Sequence, residues 1–262
     1  MPADRATLRQ RVLGGDTTYG TFLNMGSPVA TEICARSGLD WVLIDQEHGA
    51  SGEADLLPHL LAVNGTAATA IVRVEQGTRL RIGRALDLGA DGIMVPQVSS
   101  ADEARDIVSW LRFPPVGRRG VALWTRGLDF GSGGHAGVDT RNEEILGILQ
   151  VESAAAVDAA SDIASLDGVD VLFVGPTDLS HGLGIRGQID DPAYVAAITR
   201  VADAARARGK AAGVLLWKPD DIALYAGLGY TFFSLNGDGQ LLNGAVRGAL
   251  GAARDSVARA GG

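Results

Sequence analysis

The sequence predicts an α/β protein whose eight strands and intervening helices close into one (β/α)8 TIM barrel. Three observations carry that expectation. Short apolar, β-rich runs alternate with longer stretches of helical periodicity from end to end, as βαβ units require. No Gly-x-Gly-x-x-Gly fingerprint follows the first run, which turns the choice away from an open dinucleotide-binding sheet. The 262 residues show no low-complexity linker and no composition shift, so a single domain over 1–262 accounts for the chain.

Taken in order, the strands are expected at Tyr19 to Leu23, Trp41 to Ile44, Thr69 to Val74, Gly92 to Val95, Leu146 to Val151, Val169 to Val174, Ala211 to Leu216 and Thr231 to Leu235. A ninth, weaker run, Gly120 to Leu123, sits in a Gly- and Arg-rich stretch and reads as loop. Between strands, Ser27-Pro28 supplies a cap and a first-turn proline before VATEICARSG. Asp191-Pro192 does the same before AYVAAITRVADAARARG, which ends at Gly209. The stretch Gly127 to Gly137 reads as a long mobile loop.

Composition excludes several classes. No apolar run approaches the eighteen or so residues of a membrane span, and MPADRATLRQRVLGG lacks the apolar core of a secretory signal, which predicts a cytoplasmic protein. A net charge of -8 without a dense basic tract argues against nucleic acid. Cys34 is the only cysteine, so it reads as a small core residue and rules out an internal disulfide. Lysine is confined to Lys210 and Lys218.

In barrels of this kind the chemistry sits at the C-terminal strand ends. There the second run ends in Asp45 and continues to Glu47 and His48, the third ends in Arg73, and the fourth reaches Pro96 and Gln97. The fifth runs through Gln150 to Glu152, and the sixth passes Gly175 and Pro176 to Asp178. The strand starts carry small, apolar or turn residues instead, such as Ala68, Gly92 and Ala211. Glu152 and Asp178 lie on neighbouring strands and can offer hard oxygens to one Mg²⁺ or Mn²⁺, with Co²⁺ as a further candidate. The alternative is that each acid caps a helix or pairs with an arginine. Asp45, three residues before His48, is placed to fix the imidazole tautomer; Arg73 is read as an oxyanion contact, with a salt bridge to Glu47 as the alternative. His59, His135 and His181 lack acidic partners in the local sequence and read as structural or solvated.

The runs WVLIDQEHG, IVRV, IMVPQV, RFPPVGRRGV, ILQVES and VGPTDLS, in that order, resemble the HpcH/HpaI family of class II pyruvate aldolases over nearly the whole chain. The resemblance implies a barrel in which Glu152 and Asp178 bind the metal, Arg73 meets the enolate oxygen, and His48, oriented by Asp45, transfers a proton. It also implies trimers or hexamers, with the last helix, from the Ala-rich tail Leu241 to Ala260, exchanged between subunits. The partners expected are a small keto acid and an aldehyde. Gln150 and Pro176 are expected at the keto acid and amides near Ser153 and Gly175 at its carboxylate, while Leu216 and Trp217 border the aldehyde side. Two departures stand out. The final strand of the family leads into a Gly-Ser-Asp turn where this chain has Ser234-Leu-Asn-Gly-Asp238, and Trp124 to Gly137 matches poorly.

The activity implied is reversible cleavage of a 4-hydroxy-2-oxo acid into pyruvate or hydroxypyruvate and an aldehyde. A Schiff-base route needs an interior lysine, and Lys210 precedes the seventh strand while Lys218 precedes Pro219 in a loop. Oxaloacetate decarboxylation passes through the same enolate and is the alternative reading. A malyl-thioester lyase would need a basic nucleotide pocket, for which only Arg118 and Arg119 offer themselves. A barrel retained purely for binding would show a broken site, whereas every expected polar position here is filled.

Overall fold

The computed structural model describes residues 6–260, so the first five residues of the charged start lie outside the described residues. Its strands are β1 (Thr18–Leu23), β2 (Trp41–Asp45), β3 (Thr69–Arg73), β4 (Gly92–Val95), β5 (Leu146–Val151), β6 (Val171–Val174), β7 (Ala211–Leu216) and β8 (Phe232–Gly237). Each pairs in parallel with the next, and β8 pairs with β1, which closes the barrel. The predicted β6 starts two residues before the regular strand, although the Asp170 backbone already bonds to Gly147 and Ala211; its carboxylate accepts the Gly147 amide at 2.9 Å and the Arg9 side chain.

The helices are α1 (Leu8–Leu13), α2 (Pro28–Arg36), α3 (Leu56–Val63), α4 (Arg79–Asp87), α5 (Ala101–Leu111), α6 (Gly134–Glu144), α7 (Ala154–Ala164), α8 (Pro176–Gly182), α9 (Pro192–Ala207), α10 (Ile222–Gly227) and α11 (Asp238–Ala260). Their starts follow from short polar side chains that accept otherwise unpaired first-turn amides. Ser27 accepts from Ala30, Thr78 from Arg81, Ser100 from Glu103, Ser153 from Ala156 and Asp191 from Ala193. Among the described residues no helix is long and apolar enough to cross a membrane.

The expectation of a long mobile loop over Gly127 to Gly137 is corrected. Arg126–Gly131 forms a 3-10 turn and α6 begins at Gly134, which also places His135 on a helix. What orders a glycine-rich segment is side-chain anchoring: Asn142 accepts the Phe113 amide at 2.7 Å and donates to its carbonyl, and Arg141 reaches Asp91 and the Ala90 carbonyl, each at 3.0 Å. Gly120 to Leu123 is loop, as expected.

Two apolar layers hold the fold. Outward strand residues such as Val42, Ile44, Val72, Leu172 and Val214 pack against the helices. Inward residues fill the barrel, where the Trp41 and Phe232 rings stack at 4.4 Å and Phe173 meets Phe232 edge-on. Such rings fit because neighbouring strands present glycine: a Cβ on Gly20 would lie 2.0 Å from the Trp41 ring, and one on Gly213 would lie 2.8 Å from Phe173. Leu8 and Val12 of α1 join this cluster, while Arg9 pairs with Asp170 and Arg11 with Asp40, both beside strand starts. Helix α1 therefore plugs the N-terminal end, and the opposite mouth is the end available for chemistry.

Candidate active site

Side chains alternate along a strand, so the inward parity that buries apolar residues below decides which polar ones reach the mouth. On β2, inward Trp41 and Leu43 lead to Asp45; on β3, Ile71 leads to Arg73; on β5, Leu146 and Ile148 lead to Gln150 and then Glu152. All four polar side chains are buried.

They form one connected chain. Arg73 donates Nε to Asp45 Oδ1 at 2.8 Å and Nη2 to Asp45 Oδ2 at 2.7 Å, a bidentate pair. Its Nη1 lies 2.9 Å from Glu47 Oε2 and 3.4 Å from Gln150 Oε1. Gln150 Nε2 in turn donates to Glu152 Oε1 at 2.5 Å. Burial disfavours the Arg73 charge, but the hydrogen bonds and field of Asp45, joined by Glu47, outweigh it and raise the pKa. The salt bridge to Glu47 weighed from sequence is thus present.

Glu152 is in the opposite condition. Its hydrogen-bond partners are neutral, Gln150 and the Gln97 backbone amide at 3.1 Å. Burial, with the fields of Asp178 and Glu47, pushes its carboxyl up to about 7, against the Gln97 bond and Arg73. Burial also pushes the Glu47 carboxyl up against the pull of Arg73. Asp178 sits exposed in the first turn of α8. A buried carboxylate facing two like charges and held by neutral donors fits a hard divalent cation, which such donor oxygens prefer. Among the described residues no group of three or more His, Cys, Asp or Glu converges as a ligand set.

Two expectations are corrected. Asp45 does not orient the His48 ring: its Oδ1 accepts the backbone amides of Glu47 and His48, at 3.1 and 3.3 Å, and so holds the turn. A carboxylate already committed to Arg73 and those amides has no oxygen directed at the imidazole. The ring is exposed at 68%, and its ionic neighbour among the described residues is Glu47, 3.9 Å from Nε2. Leu216 does not border the mouth either. Leu215 packs on the barrel interior, so alternation turns Leu216 outward into the layer between sheet and helices. Trp217, one residue on, is half-buried at the mouth.

The remaining expected positions are found as follows. Ser153 caps α7 with its hydroxyl, Gly175 caps α8, and Pro176 is its buried first residue. Gly175 has a further reason to be glycine, since a Cβ there would lie 2.5 Å from Glu152 Oε1. Sequence reading passed over Asn24, and placed Glu47 and Gln97 at the strand ends with no role beyond a salt bridge from Glu47 to Arg73. Asn24 donates to Asp45 Oδ2 and follows inward Phe22 at the end of β1, a parity signal that could have found it. Gln97 takes a left-handed backbone, φ 57°, to aim its amide at Glu152, which no sequence pattern announces. His59, read as structural, is buried between the Thr31 and Ser51 hydroxyls at 2.6 and 3.0 Å.

Comparison with known proteins agrees with this geometry. A family model described as HpcH/HpaI aldolase/citrate lyase matches residues 18–245. A protein of Delftia acidovorans named hydroxypyruvate/pyruvate aldolase is 37% identical, over 98% of this chain and 95% of its own length. A Klebsiella pneumoniae protein named 2-keto-3-deoxy-L-rhamnonate aldolase is 36% identical, over 80% of this chain and 79% of its own. A crystal structure of an HpcH/HpaI aldolase/citrate lyase family protein from Burkholderia cenocepacia superposes with a TM-score of 0.89 at 36% identity, covering 94% of this chain and 98% of that one.

Proposed function

The chain belongs to the HpcH/HpaI aldolase/citrate lyase family, and on that premise we propose that it is a carbon–carbon lyase, a divalent-metal-dependent aldolase that reversibly cleaves 4-hydroxy-2-oxo acids to pyruvate or hydroxypyruvate and an aldehyde. The observation that carries the metal half is Glu152, a buried carboxylate pushed up to about 7 with only neutral donors on it and two like charges facing it. Glu152 and Asp178 would hold the ion, Mg²⁺ or Mn²⁺. When bound, such an ion supplies positive charge that polarises the carboxylate and 2-oxo oxygens of the keto acid.

The protein's own groups do the rest. Arg73 is fixed by Asp45 through two of its nitrogens, which leaves Nη1, shared between Glu47 and Gln150, to meet the charge that develops on the 2-oxo oxygen. His48, exposed at the mouth, takes the 4-hydroxyl proton at a ring nitrogen during cleavage and returns it during synthesis. Amides at the starts of α7 and α8, near Ser153 and Gly175, receive the substrate carboxylate. Trp217 lines the aldehyde side. The protein also assembles as a trimer or hexamer that exchanges α11. Supporting that, Leu242, Val246 and Leu250 make an exposed apolar stripe at four-residue spacing along this helix.

A metal-dependence assay tests the proposal. Activity on 4-hydroxy-2-oxo acids should vanish on dialysis against a chelator and return with Mn²⁺. Trapping of pyruvate at Lys218 by borohydride, with activity indifferent to chelation, would sink it.

A further inference from the structure

Resting on the aldolase reading, one residue outside the charged half of the mouth has an unexplained conformation. Asn236, at the end of β8, holds a left-handed backbone with φ 62°, a region that favours glycine because a Cβ is crowded there. Both ends of its amide are used. Oδ1 accepts the Gly237 amide at 3.0 Å, and Nδ2 donates to the carbonyl of Trp217 at 3.2 Å. Its own carbonyl accepts from the Thr21 hydroxyl at 3.1 Å, which ties the same residue to β1.

The register explains the bridge to Trp217. Leu215 pairs with Ser234 and Leu216 with Leu235, so Trp217 and Asn236 stand side by side one step further up the mouth. The indole faces the α8–α9 connection, where a Cβ on Gly187 would lie 3.4 Å from the six-membered ring. Gly187 is itself left-handed, φ 82°, and its amide is held by the Ser180 hydroxyl at 2.9 Å. Two segments therefore meet at Trp217, the end of β8 at its carbonyl and the α8–α9 connection at its indole. The interior residues of this half, Phe22, Leu215, Ser234 and Asn236, carry no ionisable group, and the buried acid beyond them, Asp238, is committed to the Asn24, Met25 and Gly239 amides, in contrast to the charged Asp45, Arg73 and Glu152 opposite.

We propose that Asn236 is a positioning residue that fixes Trp217 as the wall of the acceptor side, so that the site favours short, uncharged aldehydes. A glycine would adopt the same φ with less strain but could not hold the Trp217 carbonyl; an aspartate would set oxygen against oxygen. Loss of the bridge frees the end of β7 and lets the indole yield to a longer tail.

The test compares kcat/KM for 3-phenylpropanal and glycolaldehyde, with pyruvate and Mn²⁺, in the wild type, Asn236→Gly, Asn236→Asp and Trp217→Ala. The ratio in favour of the longer aldehyde should rise about tenfold in Trp217→Ala and several-fold, about fivefold, in both Asn236 variants, as expected for relief of contact with a few methylene-sized groups. An Asn236→Gly ratio equal to that of the wild type overturns the proposal. A second readout is independent of turnover. With 5-fluorotryptophan incorporated, the ¹⁹F resonance of Trp217, assigned by its loss in Trp217→Phe, should shift or broaden in Asn236→Gly; an unchanged resonance overturns the positioning role. Exchange of solvent deuterium into the pyruvate methyl group by the wild type reports on the aldolase reading alone. If exchange is absent, that reading falls while the ¹⁹F spectrum still decides the part played by Asn236.

Discussion

Replacing Glu152 by Gln in the metal-free protein should change how stability depends on pH. The Glu152 carboxyl has an ordinary value of 4.5 and is pushed to about 7 in the fold by burial and by Asp178 and Glu47. A carboxyl that keeps its proton longer folded than unfolded contributes stability at low pH and loses it as pH rises between those two values. Each pH unit of that interval is worth about 1.4 kcal/mol, so the metal-free wild type should lose about 3 kcal/mol relative to Glu152→Gln between pH 4.5 and 7.5. Urea denaturation of both proteins across that range, in the presence of a chelator, reads the difference directly. Adding Mn²⁺ at about a hundred times its dissociation constant should then stabilise the wild type by about 2.7 kcal/mol and the variant far less. Parallel pH profiles, or equal stabilisation of both proteins by Mn²⁺, would refute the reasoning.

Four further outcomes follow from the same geometry. Asp45→Ala leaves the buried Arg73 without its bidentate partner and should cost about 3 to 5 kcal/mol in a denaturation experiment. His48→Ala, at an exposed ring, should leave stability within about 0.5 kcal/mol while lowering kcat by about 10²- to 10⁴-fold; equal stability losses in the two variants would contradict the separate roles given to them. Leu216→Ala should destabilise by about 2 to 5 kcal/mol without altering the preference among aldehydes, because the side chain faces the helices; a change in acceptor preference would place it at the mouth after all. Calorimetric titration with pyruvate at pH 7.5 should show binding with Mn²⁺ present and none in chelator, and comparable affinity in both would count against an ion-first site.

The fold was legible because eight β-branched runs each end in a polar residue or a turn, and a two-residue period under them leaves little freedom in which side chains point inward. That legibility extended to Asp45, Arg73, Gln150 and Glu152, whose place at the mouth follows from apolar inward residues two or four positions earlier. It stopped where sequence distance had to stand for direction. Three residues separate Asp45 from His48, and that spacing is met equally by a carboxylate on the ring or on the backbone amide; prior commitment to Arg73 decides for the amide. Leu216 was misplaced by naming the last residue of β7 together with the one that follows it, although alternation gives them opposite faces. The Gly127 to Gly137 stretch misled because its order comes from Asn142 and Arg141, which lie beyond it and bind residues about 30 to 50 positions away. Gln97 and Asn236 act through left-handed backbone, which residue type alone does not reveal.

The charges at the mouth also imply an order of events. Arg73 arrives fully compensated, with two bonds to Asp45 and one to Glu47, and its guanidinium lies 5.0 Å over the Phe22 ring, directly on the apolar filling of the barrel. Compensation of this kind is what permits a cation to be buried there at all, since an unpaired one would lose more in hydration than any later ligand returns. Among the described residues Glu152 and Asp178 receive no such cation, so with Asp45 and Glu47 the cluster sets four carboxylates against one guanidinium, three negative charges in excess when all are ionised. An anionic keto acid approaching that cluster meets repulsion, and Nη1 of Arg73 is already shared with Glu47. A divalent ion held by Glu152 and Asp178, as proposed, would offset two of those three charges and give the substrate carboxylate a positive partner to contact directly. On the proposed site the protein compensates its buried cation internally and leaves buried Glu152 and exposed Asp178 to the ion, so that binding of the keto acid would depend on binding of the metal.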